Sequence, residues 1–456
     1  MTYPYGTKGA PVVGNGLGGL PRREAAGGQE TAIKQITGAA TAGWVVYEST
    51  TNAFAMPSPI TGAIGPAAAS LAGPQSLRLD TGIGTGDTSD VAFFRNGSQV
   101  FCWANGAQPS FAILDFFTGT IKAATTIETV GANVNTVAVA ISPVDQQFVV
   151  AYGISSNLAP RFARISSAGT VLQTAATDSG AIVGNSDVSF SSTGEFVIAF
   201  QDNNGNAGKF VRRNASGSQL GSVTTVEASG VNQVSICHLS NDDFVIAYAA
   251  SSSVKFARYN SSGTLQGAIT TVQGVSAQMV SVAASTNGDF VVSYSGTSYV
   301  RFARYNSTGT LQGSITTVKA VTGTSNDVVF DADGNFVVAY NSASTAVEID
   351  AYSSTGVSIG GQKVVEAFSG QRVRIASHPY YFGLSYSGAT KRAYFSRVFP
   401  STNYSITAIC NASPAVASGG AVPISVVTKG IPTLPTSFSA DFRSVGGVAV
   451  TTGAFR

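Results

Sequence analysis

Four residues have the types and placing for chemistry: Asp90, Asp187, Asp327 and Arg372, each just ahead of a recurring short strand. The corresponding places in the other regular copies hold Thr136, Gln233 and Met279. If these strands line a common channel, the four form a ligand site at its mouth, where carboxylates and a guanidinium can hold a sugar or a cation. Turn capping by Asp explains the same positions without a ligand. A glycosidase would need two of the carboxylates about 5 to 9 Å apart, a separation that only a fold can set.

A second pattern is basic: Arg161 with Arg164, Lys209 with Arg212, Lys255 with Arg258, and Arg301 with Arg304. Side chains alternate across a strand, but members of each pair stand three apart, so they point to opposite faces. A structural ladder drawing on Glu195, Asp243 and Asp289 is the plainer reading, and an anion-binding ring is the sharper one. The copy with Glu348 and Asp350 in these places argues against a uniform basic ring.

Other motifs reduce to local structure. Gly14-Asn-Gly16-Leu-Gly-Gly19 matches a dinucleotide fingerprint but lacks the βαβ context that makes one. Gly356-Val-Ser358-Ile-Gly360 matches a nucleophile elbow but falls where other copies have Gly263-Thr-Leu-Gln-Gly267, so a repeat turn is expected. Asp331-Ala-Asp-Gly334 and Asp202-Asn-Asn-Gly205 faintly resemble calcium loops without the closing bidentate Glu, and read as hairpin turns. Cys102, Cys237 and Cys410 are widely spaced and odd in number, which favours buried free thiols. His238 and His378 are the only histidines, with His378 expected in a turn, so no His-based triad, metal or cofactor is implied.

The elements that must position these residues come from a repeat. Phe148-Val-Val-Ala-Tyr152 recurs from Phe196, Phe244, Phe290, Phe336 and Phe382, at spacings of 48, 48, 46, 46 and 46 residues. Weaker copies begin at Val100 and Trp44. About nine residues ahead of each lies an alternating strand, joined to it by a Gly-containing hairpin turn. A third strand such as Lys255-Phe-Ala-Arg-Tyr259 and a fourth such as Ile269-Thr-Thr-Val272 follow. One four-stranded sheet cannot bury both faces alone, and radial stacking buries them between neighbours. The expected fold is all-β, a β-propeller of eight four-stranded blades over residues 31–410, or of seven if the Trp44 segment is a separate module.

Residues 1–30 hold eight Gly and three Pro and read as an extended arm. Residues 411–456 read as a small β extension suited to docking on other chains. The start shows no basic and apolar stretches of a secretory signal and the end no glycine-rich nonapeptide repeats, so neither obvious bacterial export route is expected. The 456-residue chain is only 11% charged with a net charge of +2, which excludes an electrostatic case for nucleic acid or an anionic membrane. No apolar run approaches the roughly 18 residues of a membrane span.

The pattern Gly-Asp-Phe-Val-Val-Ser-Tyr294 followed by Phe-Ala-Arg-Tyr-Asn-Ser-Thr-Gly309-Thr resembles propeller repeats of bacterial surface proteins and of bacteriophage tail and fibre proteins. The Gly/Pro arm and the Gly-, Ala- and Val-rich end look like those of virion proteins. The resemblance implies a non-enzymatic tail, tail-fibre or particle-surface component, assembled in the host cytoplasm, homo-oligomeric and docked to other virion proteins. The alternative is a lectin-like adhesion protein binding host surface glycans, with Tyr294, Tyr299, Tyr380 and Tyr381 available to stack on sugars. A propeller glycosidase or lyase is the third reading. No catalytic residue is carried over by the resemblance.

Overall fold

The computed structural model describes residues 88–398 apart from 116–118, 155–159, 178–182, 332, 343–345, 360, 367–370, 379–380 and 388–392. Outside that span it describes only the backbone of short strands. By contacts the chain divides into Gly73–Val398 and a second unit of Met1–Ala72 with Phe399–Arg456. These boundaries differ from the expected 31–410.

The larger unit is a propeller. Six blades are each built from four consecutive antiparallel strands, opening with inner strands Ser89–Phe93, Val134–Ile141, Val183–Phe190, Val231–His238, Met279–Ala284 and Gly323–Phe330. A further four-stranded sheet is composite: Gln371–His378, Tyr381–Ser387 and Ala393–Val398 take their outer strand, Gln75–Leu77, from ahead of the first blade. Its inner strand packs beside those of the sixth and first blades, so the ring closes. The expected eight blades are therefore not formed. Trp44–Glu48 pairs instead with Phe54–Ala55 and Ala408–Cys410 in a three-stranded sheet of the smaller unit. A count of seven is reached only by including the composite sheet.

Burial explains the repeating motif. In Phe148–Ile154, Phe196–Asp202, Phe244–Ala250, Phe290–Gly296 and Phe336–Ser342 all seven residues are buried, because the second strand has sheets against both faces. Period-two alternation is consequently lost there, as in any strand covered on both sides. An aromatic triad recurs between blades. Phe210 of the third blade meets the edge of Phe244 and Tyr259 of the fourth, which stack on each other at 5.4 Å. Phe256 does the same to Phe290 and Tyr305, and Phe302 to Phe336 and Tyr352. Such ring pairs add about 0.5–1.5 kcal/mol each beyond their buried area.

Among the described residues no helix is long and apolar enough to cross a membrane.

Candidate axial site

The inner strand of each blade has a partner on one side only, so the N–H groups on its axial edge need acceptors from elsewhere. They find them in side chains of the preceding blade. Three residues before the end of each inner strand, and four before the end of the closing one, stands one layer of the ring: Asp90, Ala138, Asp187, Ser235, Ser281, Asp327 and Arg374. Their partners on the second strand are all small: Cys102, Ala151, Ala199, Ala247, Ser293, Ala339 and Ser385.

The aspartates each span two blades. Asp90 accepts from Val91 N (2.8 Å) and from Val139 N of the next blade (2.8 Å). Asp187 accepts from Val188 N (2.9 Å) and Ile236 N (2.9 Å). Asp327 accepts from Val328 N (3.0 Å), from Ile375 N (2.8 Å) and from the Ser281 hydroxyl (2.5 Å). Ser235 and Ser281 play the same part with one oxygen, accepting from Val282 N (3.2 Å) and Val328 N (3.3 Å). Asp90 and Asp187 follow Arg374 and Ala138, neither of which can accept, and each then caps the N–H of its own next residue.

Three carboxylates thus surround one guanidinium. Burial pushes the Asp90 carboxyl up to about 7, against the pull of Arg374 and the Val139 N–H, while Asp327 and Asp187 add to the rise. Asp327 is raised by burial too, partly offset by Arg374 and by its bonds to Ser281 and Ile375. For Arg374 burial opposes the charge, but Asp327, Asp90 and Asp187 outweigh it and hold its pKa above the ordinary value. To a ligand the layer offers the remaining lone pairs of three carboxylates and the donors of Arg374, which makes no hydrogen bond to a described residue.

Asp90, Asp187 and Asp327 lie in one layer, within the inner strands and not ahead of them, and Arg372 does not belong to that layer. The ladder slips between Gln371 and Arg374, and Arg372 sits at φ +52° in this irregularity, donating to the Asn135 carbonyl at 3.1 Å. Thr136, Gln233 and Met279 likewise stand two residues ahead of the true layer. Sequence reasoning missed Arg374, which stands eight residues ahead of Phe382 where Asp187 and Asp327 stand nine ahead of Phe196 and Phe336. A further signal was available: Thr88-Ser-Asp-Val, Asn185-Ser-Asp-Val and Ser325-Asn-Asp-Val recur in the three Asp blades, against Val-Ser before the apolar residue in Val234-Ser-Ile and Val280-Ser-Val.

The basic pairs are structural. Their second members donate to turn carbonyls of the next blade: Arg164 to Ser216 (2.7 Å), Arg212 to Ser262 (2.7 Å), Arg258 to Thr308 (2.5 Å) and Arg304 to Ser354 (2.6 Å). Ser358 lies in the repeat turn, its hydroxyl donating to Asp350 at 3.2 Å. Asp331 spends its Oδ1 on Asp333 N and Asn335 N, the pattern of a hairpin turn. Asp202 takes Lys209 at 2.7 Å and Asn204 N at 3.0 Å. Tyr294 is fully buried, and Tyr299 is buried with Arg301 over its ring at 4.6 Å, so neither is presented to a sugar. Cys102 and Cys237 are buried free thiols, both raised by burial. His238, lowered to about 4 by burial, is neutral and 2.9 Å from the Ser189 hydroxyl. His378 closes its strand opposite Tyr381 rather than lying in a turn. The Gly14–Gly19 motif, Tyr380 and the side chains of Cys410 and Tyr381 lie outside the described residues.

No protein-family model matches the chain, and no curated protein matches it.

Proposed function

We propose that this chain is a non-enzymatic structural component of a bacteriophage virion, in the tail, a tail fibre or a particle-surface appendage. The propeller is the rigid exposed module, and the flanking segments dock on other virion proteins or on further copies of the chain. The observation that carries the non-enzymatic reading is the use made of the axial aspartates: each holds two blades together through backbone N–H groups. The basic ladder is likewise committed to turn carbonyls. Low charge and Ser/Thr-rich turns suit a module outside a cell, and the blade repeats resemble those of phage tail and fibre proteins. Quantitative mass spectrometry of purified particles tests the proposal. The chain should be recovered at fixed stoichiometry with capsid and portal proteins; its absence from particles overturns the reading.

One observation favours a lectin-like reading beside it. Arg374 brings unmet donors next to three carboxylates, the mixture that vicinal hydroxyls of a sugar accept and donate to. A host-glycan array probed with the full chain and with Arg374→Met decides this: binding lost in the variant supports it, and no binding by the parent removes it.

A further inference from the structure

The apolar contacts between the third, fourth, fifth and sixth blades are nearly interchangeable. The aromatic triad has the same members, Phe against Phe and Tyr, with centroid distances of 5.2 and 4.7 Å at the first two interfaces and 5.0 and 4.7 Å at the third. The arginine-to-turn bond also repeats unchanged. Contacts this alike do not tell one blade from another. A chain of similar repeats then has competing pairings, within itself and with other copies, unless something discriminates among them.

Outside the axial layer, one contact differs in its charge. Opposite the last residue of the core motif, the third strand presents a charged residue: Arg161 opposite Tyr152, Lys209 opposite Phe200, Lys255 opposite Tyr248, Arg301 opposite Tyr294 and Glu348 opposite Tyr340. The preceding blade supplies the partner. Glu128 takes Arg161 at 2.5 Å together with the Tyr152 hydroxyl. Glu227 takes Lys255 at 2.8 Å and the Tyr248 hydroxyl at 3.1 Å. Gln273 takes Arg301 at 3.1 Å and the Tyr294 hydroxyl at 2.5 Å. Lys209 pairs with Asp202 of its own blade. Between the fifth and sixth blades the polarity is reversed, with Lys319 supplying the cation and Glu348 the carboxylate at 2.7 Å.

The reversed carboxylate is also the most enclosed: the Glu348 side chain is 5% exposed, against 20% for Glu128 and 26% for Glu227. Its enclosure raises the cost of a wrong partner. Were the third blade to stack on the sixth, Glu227 would meet Glu348. Were the fifth to stack on the third, fourth or fifth of another copy, Lys319 would meet Lys209, Lys255 or Arg301. A like-charge contact at a buried position costs far more than one on the surface.

We infer that the Lys319–Glu348 pair is an address: its reversed polarity makes the fifth blade's outer strand acceptable to the sixth blade and not to the second, third, fourth or fifth, and so fixes order among these near-identical repeats while they fold. An ordinary ion pair would stabilise the finished propeller without affecting which blades meet. The two roles separate in refolding.

The full chain is unfolded in denaturant and refolded at several concentrations, with Lys319→Glu, Glu348→Lys and the double exchange beside the parent. Each single variant should lower Tm by on the order of 5 °C or more. The double exchange should return Tm to near the parent value, since the pair is restored, yet cut the refolded monomer yield at least about twofold with a matching rise in oligomers, because every charged interface then has one polarity. Should the singles fail to fold, the double exchange carries the test by itself. Parent-like monomer yield in the double exchange reduces the pair to an ordinary ion pair and overturns the inference. Failure of the double exchange to recover Tm also overturns it, because the sockets are then not interchangeable.

Discussion

At the axis of the propeller, blades are tied by side-chain oxygens reaching backbone N–H groups of the next blade, and the residue type changes around the ring: Asp, Ala, Asp, Ser, Ser, Asp, Arg. In the outer half, the tie is an arginine reaching a turn carbonyl, unchanged from the second blade to the fifth. A contact that only joins neighbours can be copied from repeat to repeat. At the axis all the inner strands converge, so each charge there also feels the others, and seven identical charges would repel. The mixed layer answers this: neutral Ser and Ala separate the aspartates, and Arg374 stands between Asp327 and Asp90 in the order of the ring.

The comparison breaks most sharply at Asp327. Removing its carboxylate in Asp327→Ala leaves the Ile375 N–H without its acceptor and Arg374 with less compensation, and should cost about 3 kcal/mol in urea unfolding. Along the arginine ladder the largest loss is expected not at an arginine but at the glycine against it. Gly356 has φ +84°, and a Cβ there would stand 2.7 Å from Arg304 Nε, so Gly356→Ala should cost about 1–2 kcal/mol by the same measurement.

A pH series separates the regions further. The Asp90 carboxyl is held up to about 7 in the folded protein against an ordinary 3.8, so between these values the folded state binds a proton that the unfolded state has lost. This group's stabilisation is full below pH about 4 and declines as pH rises to about 7, with a slope of at most about 1.4 kcal/mol per pH unit. Asp90→Asn should flatten that slope, whereas changes in the arginine ladder should leave it in place. The smallest effect is expected where an outer-half contact is exposed: Arg212 and Glu195 are 3.5 Å apart with the carboxylate 43% exposed, so Glu195→Ala should shift stability by less than about 0.5 kcal/mol.

Much of the fold was legible because burial on both faces leaves a strong mark. Only a strand sandwiched between sheets reads as Phe-Val-Val-Ala-Tyr at a 46- to 48-residue spacing, and the Gly-containing turns mark its hairpins. The ring's end was less legible. Trp44-Val-Val-Tyr has the composition of a core strand, yet pairs with Ala408–Cys410 in the smaller unit, because composition records that a strand is apolar and not which strand it joins. Asp90, Asp187 and Asp327 could be named from the repeat. Arg374 was missed because the last hairpin is one residue shorter, with Phe382 facing Ser377 where Phe196 faces Phe190, so a count carried over from the other blades does not reach it.

By itself the amino-acid sequence determined the four-stranded repeat, the core motif and the turns, all of which follow from local alternation and glycine geometry within one blade. Tertiary structure decided what crosses from blade to blade: the composite closing sheet, the partner of each charge, and the gathering of three carboxylates and one guanidinium about the axis. The physical reason is range. Hydrophobic periodicity is written within a strand, whereas residues in this layer lie about 46 to 49 positions apart and acquire their partners only when the ring has closed.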